Sequence, residues 1–112
     1  KPKTKMDNTT IQNLLKFCED NFTEDIKLED ISAELHLNKY YISRLLNRQV
    51  GRSFNDYINA LRINKACELL KETDKKISEI SEEVGFGSIR TFNRTFSSVI
   101  GLTPVKYRKQ FS

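Results

Sequence analysis

The sequence contains little of what loop-rich, secreted or membrane-spanning proteins require. Its 112 residues include four glycines, two prolines and no tryptophan, which is too few turn residues for a multi-hairpin fold. Cys18 and Cys67, with a single histidine, provide neither a disulfide framework nor the Cys/His spacing of a metal site. No apolar run approaches the ~20 residues of a membrane span, and no apolar stretch follows the basic residues 1–5 as it would in a secretory signal. These absences predict a reduced, cytoplasmic protein without a cofactor, a metal or a membrane partner.

Charge is arranged in blocks along the chain. The formal net charge is +4, from 19 Lys and Arg against 15 Asp and Glu. Residues 19–34 are strongly acidic, whereas residues 39–52 and 86–112 contain Lys and Arg but no Asp or Glu. Such blocks indicate either two contact surfaces for one polyanion, or solvated helix faces that are basic by chance.

Apolar residues recur at helical spacing along almost the whole chain. Ile11, Leu14, Leu15 and Cys18 form one such stripe, and Thr9 or Thr10 is suited to cap the start of that helix. Similar stripes predict five further helices, the longest over residues 53–71, and Thr103 and Pro104 predict the cap and first residue of a last short helix. The stripe of the sixth helix is Phe92, Phe96, Val99 and Ile100. Because no alternating strand pattern competes, the predicted fold class is all-α with about seven helices.

An internal repeat is the most informative feature of the sequence. A shift of 49 aligns residues 28–37 with residues 77–86, and after one inserted residue a shift of 50 aligns residues 38–57 with residues 88–107. Each unit reads as a helix, a tight turn and a polar-capped helix, which is the helix-turn-helix pattern. Gly85 suits the left-handed conformation that this turn needs. His36 occupies the matching place, so we predict a turn residue there and no catalytic role.

In each unit the basic segment falls on the second helix, the one that enters the DNA major groove in this motif. Arg44 and Arg94 occupy equivalent positions and are predicted to point away from the core. The alternative is that they pair with acids such as Glu34 and Glu83. A central helix of ~19 residues would be about 28 Å long, close to the ~34 Å between successive major-groove segments on one DNA face.

The second unit also carries a motif that resembles a known family. Residues 84–96 read Val-Gly-Phe-Gly-Ser-Ile-Arg-Thr-Phe-Asn-Arg-Thr-Phe, and residues 101–108 read Gly-Leu-Thr-Pro-Val-Lys-Tyr-Arg. This is similar to the signature of the DNA-binding domain of the AraC/XylS family of bacterial transcription regulators. Residues 57–66 resemble the family's Y-I-x-x-x-R-[ILM]-x-x-A segment, and residues 42–46 and 51–54 fit the first unit. The resemblance covers about residues 10–108.

The resemblance implies a domain layout and a function. Residues 9–108 would form a DNA-binding domain, with helix-turn-helix subdomains at about 9–52 and 74–108 joined by the helix 53–71. Residues 1–8 would be a basic tail or linker remnant, and residues 109–112 a C-terminal tail. The implied function is sequence-specific binding of double-stranded DNA and regulation of transcription, most often activation, with recognition helices at about 38–50 and 88–100.

Carried over position by position, the resemblance assigns two kinds of DNA contact. The predicted base contacts are Tyr40, Ser43, Arg44, Ile89, Arg90, Asn93 and Arg94. The predicted backbone contacts are Lys39, Tyr41, Asn47, Arg48, Ser88, Thr91 and Lys106. Arg108, near Lys106, is likewise expected to have only a phosphate within reach. The sequence departs from the family at Ser97 and Ser98, where lysines are common, and at Leu46, where a phenylalanine is usual.

Two other function classes are open to this sequence, an enzyme and a protein-interaction module. No nucleophile–base set, phosphate loop or metal cluster supports an enzyme. A helical protein-interaction module would show no salt-dependent binding to DNA. The acidic residues 19–34 are the candidate surface for a second partner, RNA polymerase as in the family. The domain is expected to be a monomer by itself, either in a larger regulator with a sensor or dimerisation domain or in a stand-alone regulator that starts at Met6.

Overall fold

The structure, a computed structural model, describes the backbone of residues 2–111 and the side chains of residues 8–111. Between Pro2 and Phe111 the chain forms seven helices and no strand. The helices are α1 (Pro2–Asn21), α2 (Leu28–Leu35), α3 (Lys39–Val50), α4 (Phe54–Glu72), α5 (Ile77–Glu83), α6 (Ile89–Ile100) and α7 (Pro104–Phe111). The predicted all-α class and number of helices are thus confirmed.

The chain divides into two compact units, Lys1–Ile58 and Asn59–Ser112. The first unit contains α1, α2, α3 and the start of α4, and the second contains the rest of α4 with α5, α6 and α7. Each unit therefore holds one of the two repeats. The subdomain limits at about 9–52 and 74–108 stay a prediction.

The core of the first unit is built where α1, α2 and α3 contact one another. Leu14 and Cys18 of α1, Ile31 of α2 and Ile42 of α3 have no solvent exposure. Leu46, which stands where the family usually has a phenylalanine, is also fully buried. Each such side chain contributes about 1.5–3 kcal/mol through removal from water, so α3 is held by one face and its opposite face is left exposed.

The core of the second unit is organised around aromatic rings. Phe92 and Phe96 of α6 are fully buried, and their ring centroids are 5.6 Å apart. Phe86 lies 5.4 Å from Phe92, and Tyr107 of α7 lies 5.5 Å from Phe96. These separations and the tilted or edge-on geometries are the favoured ones for aromatic pairs. The rings therefore fix α6 between the turn that precedes it and α7.

The second helix of each unit has the polar cap that the repeat predicts, and it ends at a glycine. Asn38 Oδ1 accepts hydrogen bonds from the backbone N–H groups of Tyr40 at 2.8 Å and Tyr41 at 3.3 Å, and so caps α3. Ser88 Oγ accepts one from the backbone N–H of Thr91 at 3.1 Å and caps α6. The glycines at 51 and 101 end these helices with φ of 78° and 86°, the left-handed conformation of a helix C-terminus.

The two tight turns share a conformation and a hydrogen-bond pattern. His36 has φ of 57° and Gly85 has φ of 108°, which confirms the prediction that His36 is a turn residue. Equivalent backbone groups close the two turns: the Leu37 N–H donates to the Ser32 carbonyl at 3.1 Å, and the Phe86 N–H donates to the Ser81 carbonyl at 3.0 Å. The sequence repeat is therefore also a repeat of local structure.

Three local predictions are corrected by the structure. Helix α1 begins at Pro2, ahead of the cap predicted at Thr9 or Thr10. Val99 is 54% exposed, so it does not belong to the buried stripe of α6. Residues 109–111, predicted as part of a tail, continue α7. Lys1, Ser112 and the side chains of residues 2–7 lie outside the described part, so the basic tail at 1–8 stays a prediction.

Candidate nucleic-acid interface

The exposed side of α3 groups the predicted base-contacting residues of the first unit. Tyr40, Ser43 and Arg44 lie at i, i+3 and i+4, and Asn47, a predicted backbone contact, follows at i+7. The four residues share one face, which we call the α3 face. Tyr40 is 65% exposed, Arg44 and Asn47 are exposed, and Ser43 is half-buried. The buried residues of α3 lie on the other side, so the α3 face is available to a ligand.

The other residues of the first unit predicted to contact the backbone border this face. Arg48 is exposed and Tyr41 is half-buried. Lys39 lies at the start of α3, with its ammonium 3.0 Å from Glu29 Oε2 and 5.5 Å from the centroid of the Tyr40 ring. Lys39, chiefly through this hydrogen bond, lowers the pKa of the Glu29 carboxyl, and Glu29 raises the pKa of Lys39.

The exposed side of α6 is the counterpart in the second unit. Ile89, Arg90, Asn93 and Arg94 are all exposed and form two i, i+4 pairs, which we call the α6 face. Ile89 is an exposed apolar residue at 44%, although the opposite side of α6 packs in the core.

The predicted backbone contacts of the second unit lie at the starts of its last two helices, α6 and α7. Ser88 is exposed and Thr91 is half-buried, and their hydroxyl oxygens are 3.1 Å apart, so each is already oriented by the helix cap. Lys106 is exposed in the first turn of α7, where its backbone N–H donates to Thr103 Oγ1 at 3.2 Å. Lys106 therefore leaves its ammonium in solvent.

The alternative of acidic partners for the two equivalent arginines is not supported. Among residues 8–111, neither Arg44 nor Arg94 takes part in an ion pair. Glu83, one of the acids considered, instead pairs with Lys75 at 2.6 Å. Both guanidinium groups are therefore exposed cations available to an external anion.

The expectation that Arg108 has only a phosphate within reach is wrong. Its Nε donates to the Leu70 carbonyl and its Nη2 to the Thr73 carbonyl, each at 3.1 Å. These carbonyls lie at the C-terminal end of α4, where backbone oxygens lack helical partners and the helix dipole favours a cation. The arginine that closes the family-like motif is therefore a helix cap within the second unit.

Burial disfavours the thiolate form of both cysteines. Burial, with a smaller effect of Glu19, raises the pKa of Cys18 to about 12. Burial also raises the pKa of Cys67, which lies against Tyr107. A thiol is a poor nucleophile and a poor ligand when its thiolate is this disfavoured. Within residues 8–111 no three His, Cys, Asp or Glu side chains are grouped as metal ligands would be.

Sequence reasoning missed two of these features because they join distant residues. The Glu29–Lys39 pair spans ten residues across the turn, and the Arg108 cap spans 35 and 38 residues. A weak signal existed for the first, since an acid in α2 and a base in α3 flank a turn that brings the two helices together. No signal in the sequence indicated the second.

Comparison with known proteins places these features in a family. A family model described as a helix-turn-helix domain matches residues 31–110. YfiF, an uncharacterized HTH-type transcriptional regulator of Bacillus subtilis, is 36% identical over 115 aligned positions, which cover 99% of this chain and 36% of YfiF. The multiple antibiotic resistance protein MarA of Escherichia coli is 31% identical, and the match covers 91% of this chain and 80% of MarA.

Solved structures agree with the sequence matches. The C-terminal domain of AraT, a response regulator from Geobacillus stearothermophilus, superimposes with a TM-score of 0.86 at 30% identity, over 89% of this chain and 84% of that one. An AraC-type regulator from Chromobacterium violaceum gives the same TM-score at 25% identity, over 100% of this chain and 97% of that one.

The chain spans about a third of the length of YfiF and about four-fifths of the length of MarA. None of the helices between Pro2 and Phe111 combines the length and apolar character needed to cross a bilayer. The relatives are transcription regulators and not enzymes. The chain belongs to the AraC/XylS family, as a helix-turn-helix DNA-binding domain of a transcription regulator.

Proposed function

We propose that this domain binds double-stranded DNA sequence-specifically, with α3 and α6 in successive major-groove segments, and that it activates transcription. The observation that carries the proposal is the pair of exposed polar and basic faces on the second helix of each unit. Arg44 and Arg94 stand at equivalent positions on these faces, and an arginine can bind guanine O6 and N7 with two hydrogen bonds.

Each unit would make both base contacts and backbone contacts. On the α3 face, Tyr40, Ser43 and Arg44 would contact bases, and Asn47 would contact the backbone with its neighbours Tyr41 and Arg48. On α6, Ile89, Arg90, Asn93 and Arg94 would contact bases. Ser88 and Thr91 at the start of α6 and Lys106 on α7 would contact phosphates, because helix N-termini and exposed cations favour anions.

The cellular location, the oligomeric state and the second partner are proposed from the family. The domain would act in the cytoplasm, as a monomer when isolated, and RNA polymerase would be its second partner. The acidic residues 19–34 are the proposed surface for that contact, since Glu19, Glu29 and Glu34 expose their carboxylates on the first unit.

A pair of substitutions tests the division between base and backbone contacts. Arg94→Ala should lose discrimination at one base pair of the site, worth ~1–3 kcal/mol. Lys106→Ala should weaken binding to all sequences alike and reduce the slope of log affinity against log salt by about one. The measurement is competition binding against every single-base variant of a bound site.

Both variants should keep the helical circular dichroism of the parent, because both side chains are exposed. If Arg94→Ala weakened every site variant by the same factor, Arg94 would be a backbone contact and the proposed reading by α6 would be wrong.

A further inference from the structure

One charged contact of the first unit lies directly beside the proposed DNA-binding surface. Lys39 is in the first turn of α3, next to Tyr40, and its ammonium is held by Glu29 of α2 at 3.0 Å. The side chains stay accessible, 39% exposed for Lys39 and 64% for Glu29. A DNA phosphate that approaches this end of α3 therefore meets a lysine that already has an anionic partner.

We propose that Glu29 competes with a DNA phosphate for Lys39 and so limits the sequence-independent affinity of the first unit. This inference rests on the proposed function. A carboxylate at hydrogen-bond distance occupies the ammonium in the same way as a phosphate oxygen would. Phosphate contacts carry no sequence information, so a competitor placed here lowers binding to all DNA while the base-contacting residues are left intact.

The repeat shows that the arrangement is confined to the first unit. The positions that match Glu29 and Lys39 in the second unit are Ser78 and Ile89. Ser78 and Ile89 line an open cavity of about 260 Å³ beside the start of α6. The second unit therefore has neither the lysine nor the carboxylate, and the competition is a property of α2 and α3 alone.

The geometry also argues against a role in fold stability. Exposed ion pairs of this kind contribute little to the free energy of unfolding. The helix that carries Glu29 is held by the fully buried Ile31, and α3 is held by Ile42, Leu45 and Leu46. Loss of the carboxylate should therefore change DNA binding while the fold remains.

The test is a double-mutant cycle in the intact chain. Glu29→Gln should raise affinity for a labelled random-sequence duplex at low salt by about two- to fivefold, the size expected for an exposed ion pair. In a Lys39→Met background, Glu29→Gln should change this affinity no more than Glu34→Gln does in the same background. Glu34→Gln is the matched control, because Glu34 is exposed on the same helix and forms no ion pair among residues 8–111.

The outcomes separate this inference from the proposed function. A gain with Glu29→Gln that exceeds the gain with Glu34→Gln and disappears in Lys39→Met supports the competition. Equal gains from the two Gln variants, or a gain that persists without Lys39, would overturn it and leave DNA binding standing. If the parent chain showed no salt-dependent binding to duplex DNA, the proposed function would fail, and this inference with it.

Discussion

Affinity for duplex DNA should fall by about 250- to 1,000-fold when salt is raised from 50 to 200 mM. This follows if about five phosphates are neutralised, because each contributes about −0.9 to the slope of log affinity against log salt. The cations that support this estimate lie on the acid-free segments 39–52 and 86–112. Arg44, Arg48 and Arg94 are exposed there, and Lys106 is exposed on α7.

Lys75 provides a control for the salt dependence of DNA binding. Lys75 is a cation outside the proposed interface, already neutralised by Glu83 at 2.6 Å. Lys75→Met should therefore leave the slope unchanged, whereas Lys106→Ala should reduce it by about one. A flat response of the parent chain over this salt range would mean that the basic segments are only solvated helix faces, and that the domain is better described as a protein-interaction module.

Arg108→Met should lower the free energy of unfolding by about 2–3 kcal/mol. Methionine retains an unbranched side chain that can replace the aliphatic part of the arginine. It removes the guanidinium and with it the two hydrogen bonds to the carbonyls of Leu70 and Thr73. Hydrogen bonds that involve a charged group are worth ~1.5–3 kcal/mol each, and partial exposure of Arg108 reduces their sum. Urea denaturation followed by circular dichroism measures the difference.

Lys109→Met is the matched control for Arg108, because it removes one positive charge from the next residue of α7, where the side chain is exposed. It should cost less than ~0.5 kcal/mol, as surface substitutions usually do. If Arg108→Met left stability unchanged but weakened DNA binding and reduced the salt slope, Arg108 would be a phosphate contact and the helix cap would be without importance.

The features that sequence predicts well here are those fixed by neighbouring residues. Asn38 and Ser88 cap the next turn of their own helix, and the φ value of His36 follows from its place in a tight turn. Such signals need only a few residues of context, so they were visible in the repeat. The exposed faces of α3 and α6 were predictable for the same reason, since the buried stripe of each helix determines the opposite side.

The errors arise where a side chain depends on residues far along the chain. Val99 continues the apolar spacing of α6, yet within residues 8–111 no element covers it and it remains 54% exposed. Arg108 reads as a surface cation in its own helix, but the packing of the second unit brings it to the end of α4. Helical periodicity describes one element at a time, so neither the missing neighbour of Val99 nor the distant acceptors of Arg108 could be inferred from it.

The central claim is that one molecule reads DNA with two different helices, and selection of bound sequences from random duplex DNA tests it most directly. The predicted result is a site with two boxes ~10 bp apart, centre to centre. The boxes should differ, because Tyr40, Ser43 and Arg44 on the α3 face are not the residues that α6 presents. A consensus with a single box, or a palindrome that requires two molecules, would contradict the account.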